Sequence, residues 1–105
     1  NINISRDWSW APEHINFIYK IMQLKKPEDF IIGTGHTQTL KKIINHFFKS
    51  FNIETKNIKI NKKFFRKNDI KFSNANPKKL KKRFNMIPST NVETIIHNMI
   101  DNKFF

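Results

Sequence analysis

Ser5-Arg6-Asp7-Trp8-Ser9-Trp10-Ala11-Pro12-Glu13 is the stretch on which the fold turns. Arg6 carries a planar fork of donors, the side chain best matched to a phosphate or carboxylate. Trp8 and Trp10, the only tryptophans, can bury large area and hold that fork in place. Pro12 suits the first turn of a helix, where its missing N–H costs nothing, and Glu13 complements the positive helix end. On their own these residues also describe an ordinary surface arginine ahead of a helix, because lone arginines are common at surfaces.

Outward from this stretch the chain reads as alternating short elements. Ile2 and Ile4 alternate with polar residues, which predicts a short strand over 1–5. From Ala11 to Leu24 the period is helical. Ile15, Ile18 and Met22 form one stripe, and Phe17, Ile21 and Leu24 form another beside it, so the helix is expected to be buried on more than one side. Lys25-Lys26-Pro27 stops it. Phe30-Ile31-Ile32 has the character of a buried parallel strand, ended by Gly33-Thr34-Gly35. Thr39 is the expected N-cap of the clearest helix. There Leu40, Ile43, Ile44, Phe47, Phe48 and Phe51 share a face that is expected to be core. Ile58 and Ile60 alternate with polar neighbours, predicting a strand over 57–61, and 64–74 reads as an irregular connection.

Asn76 and Pro77 start a short helix with Leu80 and Phe84 on one face. Thr90-Asn91-Val92-Glu93 has the pattern of a capping box with Thr90 as the cap. Val92, Ile95, Ile96, Met99 and Ile100 follow as an amphipathic stripe, and Phe104 and Phe105 are expected to fray or dock weakly. The expectation is an α/β fold: a single partial domain over 1–105, without a linker, with a narrow sheet of three short strands and three or four helices.

Composition narrows the partners. The formal charge is +12 over 105 residues. One reading is attraction to polyanions. Another is codon bias, because Lys, Asn, Ile, Phe, Tyr and Met make up 63 of the 105 residues and all are specified by A/T-rich codons. Cysteine is absent, which removes disulfides and thiolate metal sites and suits a cytoplasmic location. No apolar run approaches the roughly 20 residues of a membrane span, and no charged-then-apolar export leader is seen at Asn1. His14, His36, His46 and His97 lie too far apart in sequence to suggest a metal site.

Lysine outnumbers arginine seventeen to three. An arginine kept against that background suggests a contact that lysine cannot make. Arg83, set among lysines, reads instead as part of a solvated helix face. Arg66 and Asp69 place a two-point cation and a carboxylate acceptor on one loop, suited to a diphosphate and a ribose diol; the plain alternative is an exposed ion pair. The stretch from Lys59 to Arg83 holds eleven basic residues and one acid, with phenylalanines interleaved. That combination supports a second reading, a small basic nucleic-acid-binding module, although no recognition motif accompanies it.

The run Arg6-Asp7-Trp8, with Trp10-Ala11-Pro12-Glu13, resembles the segment that opens the substrate-binding part of GDP-mannose 4,6-dehydratases, extended short-chain dehydrogenase/reductases of the epimerase/dehydratase group. Ile60-Asn61-Lys62-Lys63-Phe64-Phe65-Arg66-Lys67-Asn68-Asp69 resembles that family's later Arg-Pro-x-acid segment, in matching order and spacing. The likeness covers nearly the whole chain and corresponds to the C-terminal third of such an enzyme, without its Rossmann domain. It implies diphosphate contacts for Arg66 and Arg6 and a nucleoside contact for Asp69. Lys67 replaces the usual proline, Asp69 the more usual glutamate, Ser9 a common glycine and His14 a common tyrosine; the last two read as local drift.

The resemblance further implies a lyase that converts GDP-mannose to GDP-4-keto-6-deoxymannose with NADP, and homo-oligomers that assemble largely through the other domain. Gly33-Thr34-Gly35 is not a dinucleotide fingerprint, and Tyr19 is followed four residues on by Gln23 rather than lysine. No catalytic, cofactor-binding or metal residue is therefore assigned within the chain, and turnover is not expected from it alone.

Overall fold

In the computed structural model, which describes residues 1–103, a three-residue strand lies at the centre. β1 (Ser5–Asp7) pairs antiparallel with β2 (Thr37–Thr39), with Arg6 opposite Gln38. On its other edge Ser5 N donates to Lys71 O (2.8 Å) and Ser73 N donates to Ser5 O (3.1 Å), a parallel bridge centred on Phe72. The strand expected over 1–5 therefore sits at 5–7. Before it the backbone is tied to the start of the helix that follows Thr39. Ile4 O and Ile2 O accept from Leu40 N and Lys41 N, first-turn amides that have no acceptor within their own helix.

Four α-helices surround this strip among the described residues: α1 (Ala11–Met22), α2 (Leu40–Ser50), α3 (Lys78–Phe84) and α4 (Val92–Ile100). The expected core is only partly there. In α1 Phe17 is buried, but Ile15 is 65% and Met22 74% exposed, so the helix is covered on one side rather than two. Thr39 caps α2 as expected, accepting from Lys42 N. Its apolar face, expected to be core, contains no buried residue; α4 covers it in part, and Phe47 and Phe51 remain exposed. The densest packing lies elsewhere. Leu80 of α3 is fully buried, and Phe84 meets Phe17 edge-on at 6.4 Å and Phe30 at 5.6 Å between ring centroids.

Two expected strands are absent. Phe30–Ile32 finds no ladder partner; the ring of Phe30 instead rests on Phe84 and under the Lys79 ammonium. Residues 57–61 run between 3₁₀ turns at Thr55–Asn57 and Lys62–Phe64. The α4 cap is Asn91, which accepts from Thr94 N at 2.8 Å, one residue beyond the expected Thr90. Thr90 is held elsewhere, since its N–H and that of Ser89 donate to the Glu13 carboxylate. The expectation for Phe104 and Phe105 lies outside the described residues.

The result is a slab of 53 × 35 × 18 Å. Its radius of gyration is 16.4 Å, against about 13 Å for a compact domain of this length. Its accessible area is 8499 Å², against roughly 6200 Å² for a monomer of this mass. No helix among the described residues is long and apolar enough to cross a membrane.

Candidate functional site

β1 positions the site because each of its residues binds a different segment. Arg6 Nη2 donates to Asp69 Oδ1 at 3.1 Å, and Nη1 donates to Ser5 O at 2.8 Å. The two charged side chains keep 28% and 20% of their area exposed. A guanidinium has five N–H donors and a carboxylate roughly four acceptor positions; the pair spends only a minority of each and leaves the rest available. As an isolated pair at this exposure it contributes roughly 0–1 kcal/mol to stability.

Asp7, on the opposite face of the strand, is fully engaged. Its Oδ1 accepts from Thr34 N (3.1 Å) and Thr34 Oγ1 (2.7 Å), and its Oδ2 accepts from Gly35 N (2.8 Å). The carboxylate thus clamps the Gly33-Thr34-Gly35 turn. Gly33 is required there, since a Cβ at that position would lie 2.4 Å from Ala75 Cβ. This arrangement does not fit a dinucleotide phosphate at the turn, because the amides that would bind one already donate to Asp7. Trp8 Nε1 donates to Gln38 O at 3.1 Å, which ties the indole to β2.

Of the residues singled out from sequence, Arg6 and Asp69 are brought into contact across 63 positions. Arg66 lies on the same segment as Asp69, no more than about 11 Å from it between Cα atoms even if the chain is fully extended. It is exposed and takes part in none of the ion pairs among the described residues. Arg6 and Asp69, both assigned to the ligand by the family resemblance, are thus each other's partners. Arg83 pairs with Glu28 at 3.9 Å on an exposed surface, in keeping with a solvated helix face. His46 and His97 approach to 5.8 Å between ring centroids, and no group of three or more metal-ligating side chains gathers among the described residues.

Two features escaped sequence reading. Asp7 was passed over because a carboxylate that serves a turn 27 residues away leaves no local spacing signal. Ser9 Oγ and His14 Nε2 are hydrogen-bonded and line, with Arg6 and Asp7, a cavity of about 350 Å³ closed by residues 31–33 and 73–75.

The fold is that of part of a nucleotide-sugar dehydratase. The chain superposes on a crystal structure of dTDP-glucose 4,6-dehydratase from Bacillus anthracis, solved in complex with NAD, with a TM-score of 0.77 at 16% identity, covering 98% of this chain and 33% of that one. A family model described as GDP-mannose 4,6 dehydratase matches residues 1–99, and the chain belongs to that family. It is 27% identical over 118 residues to the GDP-mannose 4,6 dehydratase of Dictyostelium discoideum, covering 95% of this chain and 33% of the relative. Against GDP-mannose 4,6 dehydratase 1 of Arabidopsis thaliana the identity is 26% over 102 residues, with 96% and 28% covered. Against the human protein it is 22% over 118 residues, with 95% and 32% covered. The chain spans about a third of the length of these relatives.

Proposed function

We propose that this chain is the sugar-nucleotide-binding part of a GDP-mannose 4,6-dehydratase-like enzyme. Arg66 and the free donors of Arg6 hold the diphosphate, and Asp69 accepts from the nucleoside. The observation that carries the reading is the Arg6–Asp69 contact. It joins two of the three assigned residues from distant parts of the chain and leaves the third, Arg66, exposed on the adjoining segment. A part-exposed pair is cheap to open, so a ligand that offers a diphosphate to the guanidinium and a diol to the carboxylate replaces one contact with two.

Dehydration of GDP-mannose, with NADP supplying hydride transfer, then belongs to the assembly of this part with a cofactor-binding domain. An accessible area about 2300 Å² above that of a compact monomer, by the scaling above, supports that reading. The test has two arms. Heteronuclear NMR of the chain with GDP is expected to shift resonances at Arg6, Arg66 and Asp69, with the response lost in Arg66→Ala. Co-expression with the N-terminal two thirds of the Dictyostelium relative is expected to yield GDP-mannose-consuming activity that Arg66→Ala abolishes. Unchanged GDP binding in Arg66→Ala refutes the assignment.

The nucleic-acid reading draws on the stretch from Lys59 to Arg83, whose basic side chains are exposed. Its mark is affinity for single strands that falls steeply with salt.

A further inference from the structure

The packing of α4 against α2 brings together two histidines that the sugar-nucleotide reading does not use. His46 is half-buried on α2 and His97 is exposed on α4. Their ring centroids stand 5.8 Å apart, with the ring planes at 86°. The two are too far apart in sequence to suggest a site, and only the tertiary contact makes the pair. His46 Nε2 is buried and has no hydrogen-bond partner. A buried ring nitrogen is normally met by a donor, an acceptor or an ion.

The geometry suits a metal ion. A zinc–nitrogen bond is about 2.0–2.1 Å, so two imidazoles that share a tetrahedral metal have ring centres roughly 5 Å apart. The observed 5.8 Å is a small side-chain rotation from that arrangement, and the exposed ring of His97 is the one free to turn. Imidazole suits Zn²⁺, Ni²⁺ and Cu²⁺, whereas Mg²⁺ and Ca²⁺ require oxygen ligands. The carboxylates of α4 do not build an oxygen site here. Glu93 and Asp101 stand one turn to either side of His97, but Asp101 pairs with Lys103 at 3.2 Å, and no third ligand joins the two histidines among the described residues. The other coordination positions fall to solvent.

We propose that His46 and His97 form a two-histidine site for a divalent transition metal of the zinc class, and that the bound ion clips α4 onto α2. The apolar face of α2 contains no buried residue, and Phe47 and Phe51 remain exposed on it, so this contact has little packing of its own. A link between distant parts of the chain removes freedom from the unfolded state, and small domains with little core use structural metals in this way. The site shares no residue with Arg6, Arg66 and Asp69, and it stands whether or not the chain binds a sugar nucleotide.

The chain, stripped of metal with EDTA and dialysed, is titrated with zinc chloride while NMR follows the ring signals of all four histidines; urea unfolding is measured with and without zinc. Zinc is expected to shift His46 and His97 together with one midpoint, to leave His14 and His36 in place, and to raise the unfolding midpoint. Magnesium chloride at the same concentration is expected to do none of this. His97→Gln and His46→Gln should each weaken zinc binding at least about tenfold, the smallest loss typical even of outer-shell partners, and should cancel the gain in unfolding midpoint. His97 is exposed, so His97→Gln decides the matter alone if His46→Gln fails to fold. A shift at one ring only, an equal response at His14 and His36, no response at any histidine, or an affinity in His97→Gln equal to the parent's overturns the site.

Discussion

Removing the Asp7 carboxylate is expected to destabilise the chain more than any surface change near the site. Asp7→Ala deletes three hydrogen bonds, to Thr34 N, Thr34 Oγ1 and Gly35 N. Hydrogen bonds to a charged acceptor are worth about 1.5–3 kcal/mol each, and a buried N–H left without an acceptor costs about 1–3 kcal/mol. These terms overlap, and Thr34 keeps only 9% of its surface exposed, so water cannot easily replace the lost acceptor. A loss of about 3–5 kcal/mol follows, against a total of roughly 5–15 kcal/mol for a chain of this length. With the usual urea dependence of about 1–3 kcal/mol per molar, the unfolding midpoint should fall by roughly 2 M. Asp7→Asn should fall between: its Oδ1 still accepts from Thr34, but its amide nitrogen faces the Gly35 N–H as a second donor. The assay is urea unfolding followed by circular dichroism, with amide exchange at Thr34 and Gly35 as a local readout. An unfolding free energy for Asp7→Ala within about 0.5 kcal/mol of the parent, at the same urea dependence, would refute the clamp.

Leu80→Ala should cost about 2–5 kcal/mol in the same assay, because Leu80 is fully buried and its neighbours can only partly collapse into the space left. Asn91→Ala should cost about 1 kcal/mol as a lost N-cap, whereas truncating the Thr90 hydroxyl should cost far less; the reverse order would restore Thr90 as the cap. Asp69→Ala separates two roles for that carboxylate. If it serves the nucleoside, GDP binding weakens; if it only neutralises Arg6, binding strengthens as the guanidinium is freed, and the second result in calorimetry would remove Asp69 from the ligand set.

How much was legible depended on the range of the interaction. The Thr39 cap and the α2 face rest on local spacing, and the helix lies where the spacing put it. Whether that face is covered depends on what packs against it, and spacing carries no such information. Short strands fail for a related reason: three polar residues at Ser5–Asp7 pair while the apolar run Phe30–Ile32 does not, because pairing depends on a neighbouring ladder rather than on the segment's own character. The Thr90 pattern was a legitimate capping box, yet Glu13 drew the Thr90 amide away and Asn91 took its place. Arg6, Arg66 and Asp69 are singled out by the chemistry of their side chains and a family likeness. The pairing of Arg6 with Asp69 was not readable, because nothing in sequence reports a contact across 63 positions.

Stability and the proposed recognition meet at one strand. Ser5 holds the segment at 71–73, Arg6 holds Asp69, Asp7 holds the turn at Thr34 and Gly35, and Trp8 holds the backbone at Gln38. These contacts are polar and long-range, and they stand in for a small core supplied by Phe17, Leu80, Pro88 and Val92 among the described residues. A ligand that bridges Arg6 and the segment carrying Asp69 therefore reinforces contacts on which the fold already depends. Binding to the folded state alone stabilises it by about 2.7 kcal/mol at a ligand concentration a hundredfold above Kd. In a thin slab that gain is a large fraction of the total stability. Substitutions at Arg6 or Asp69 that impair binding should then also erase the ligand's stabilising effect on unfolding, whereas Leu80→Ala should lower stability and leave that increment intact.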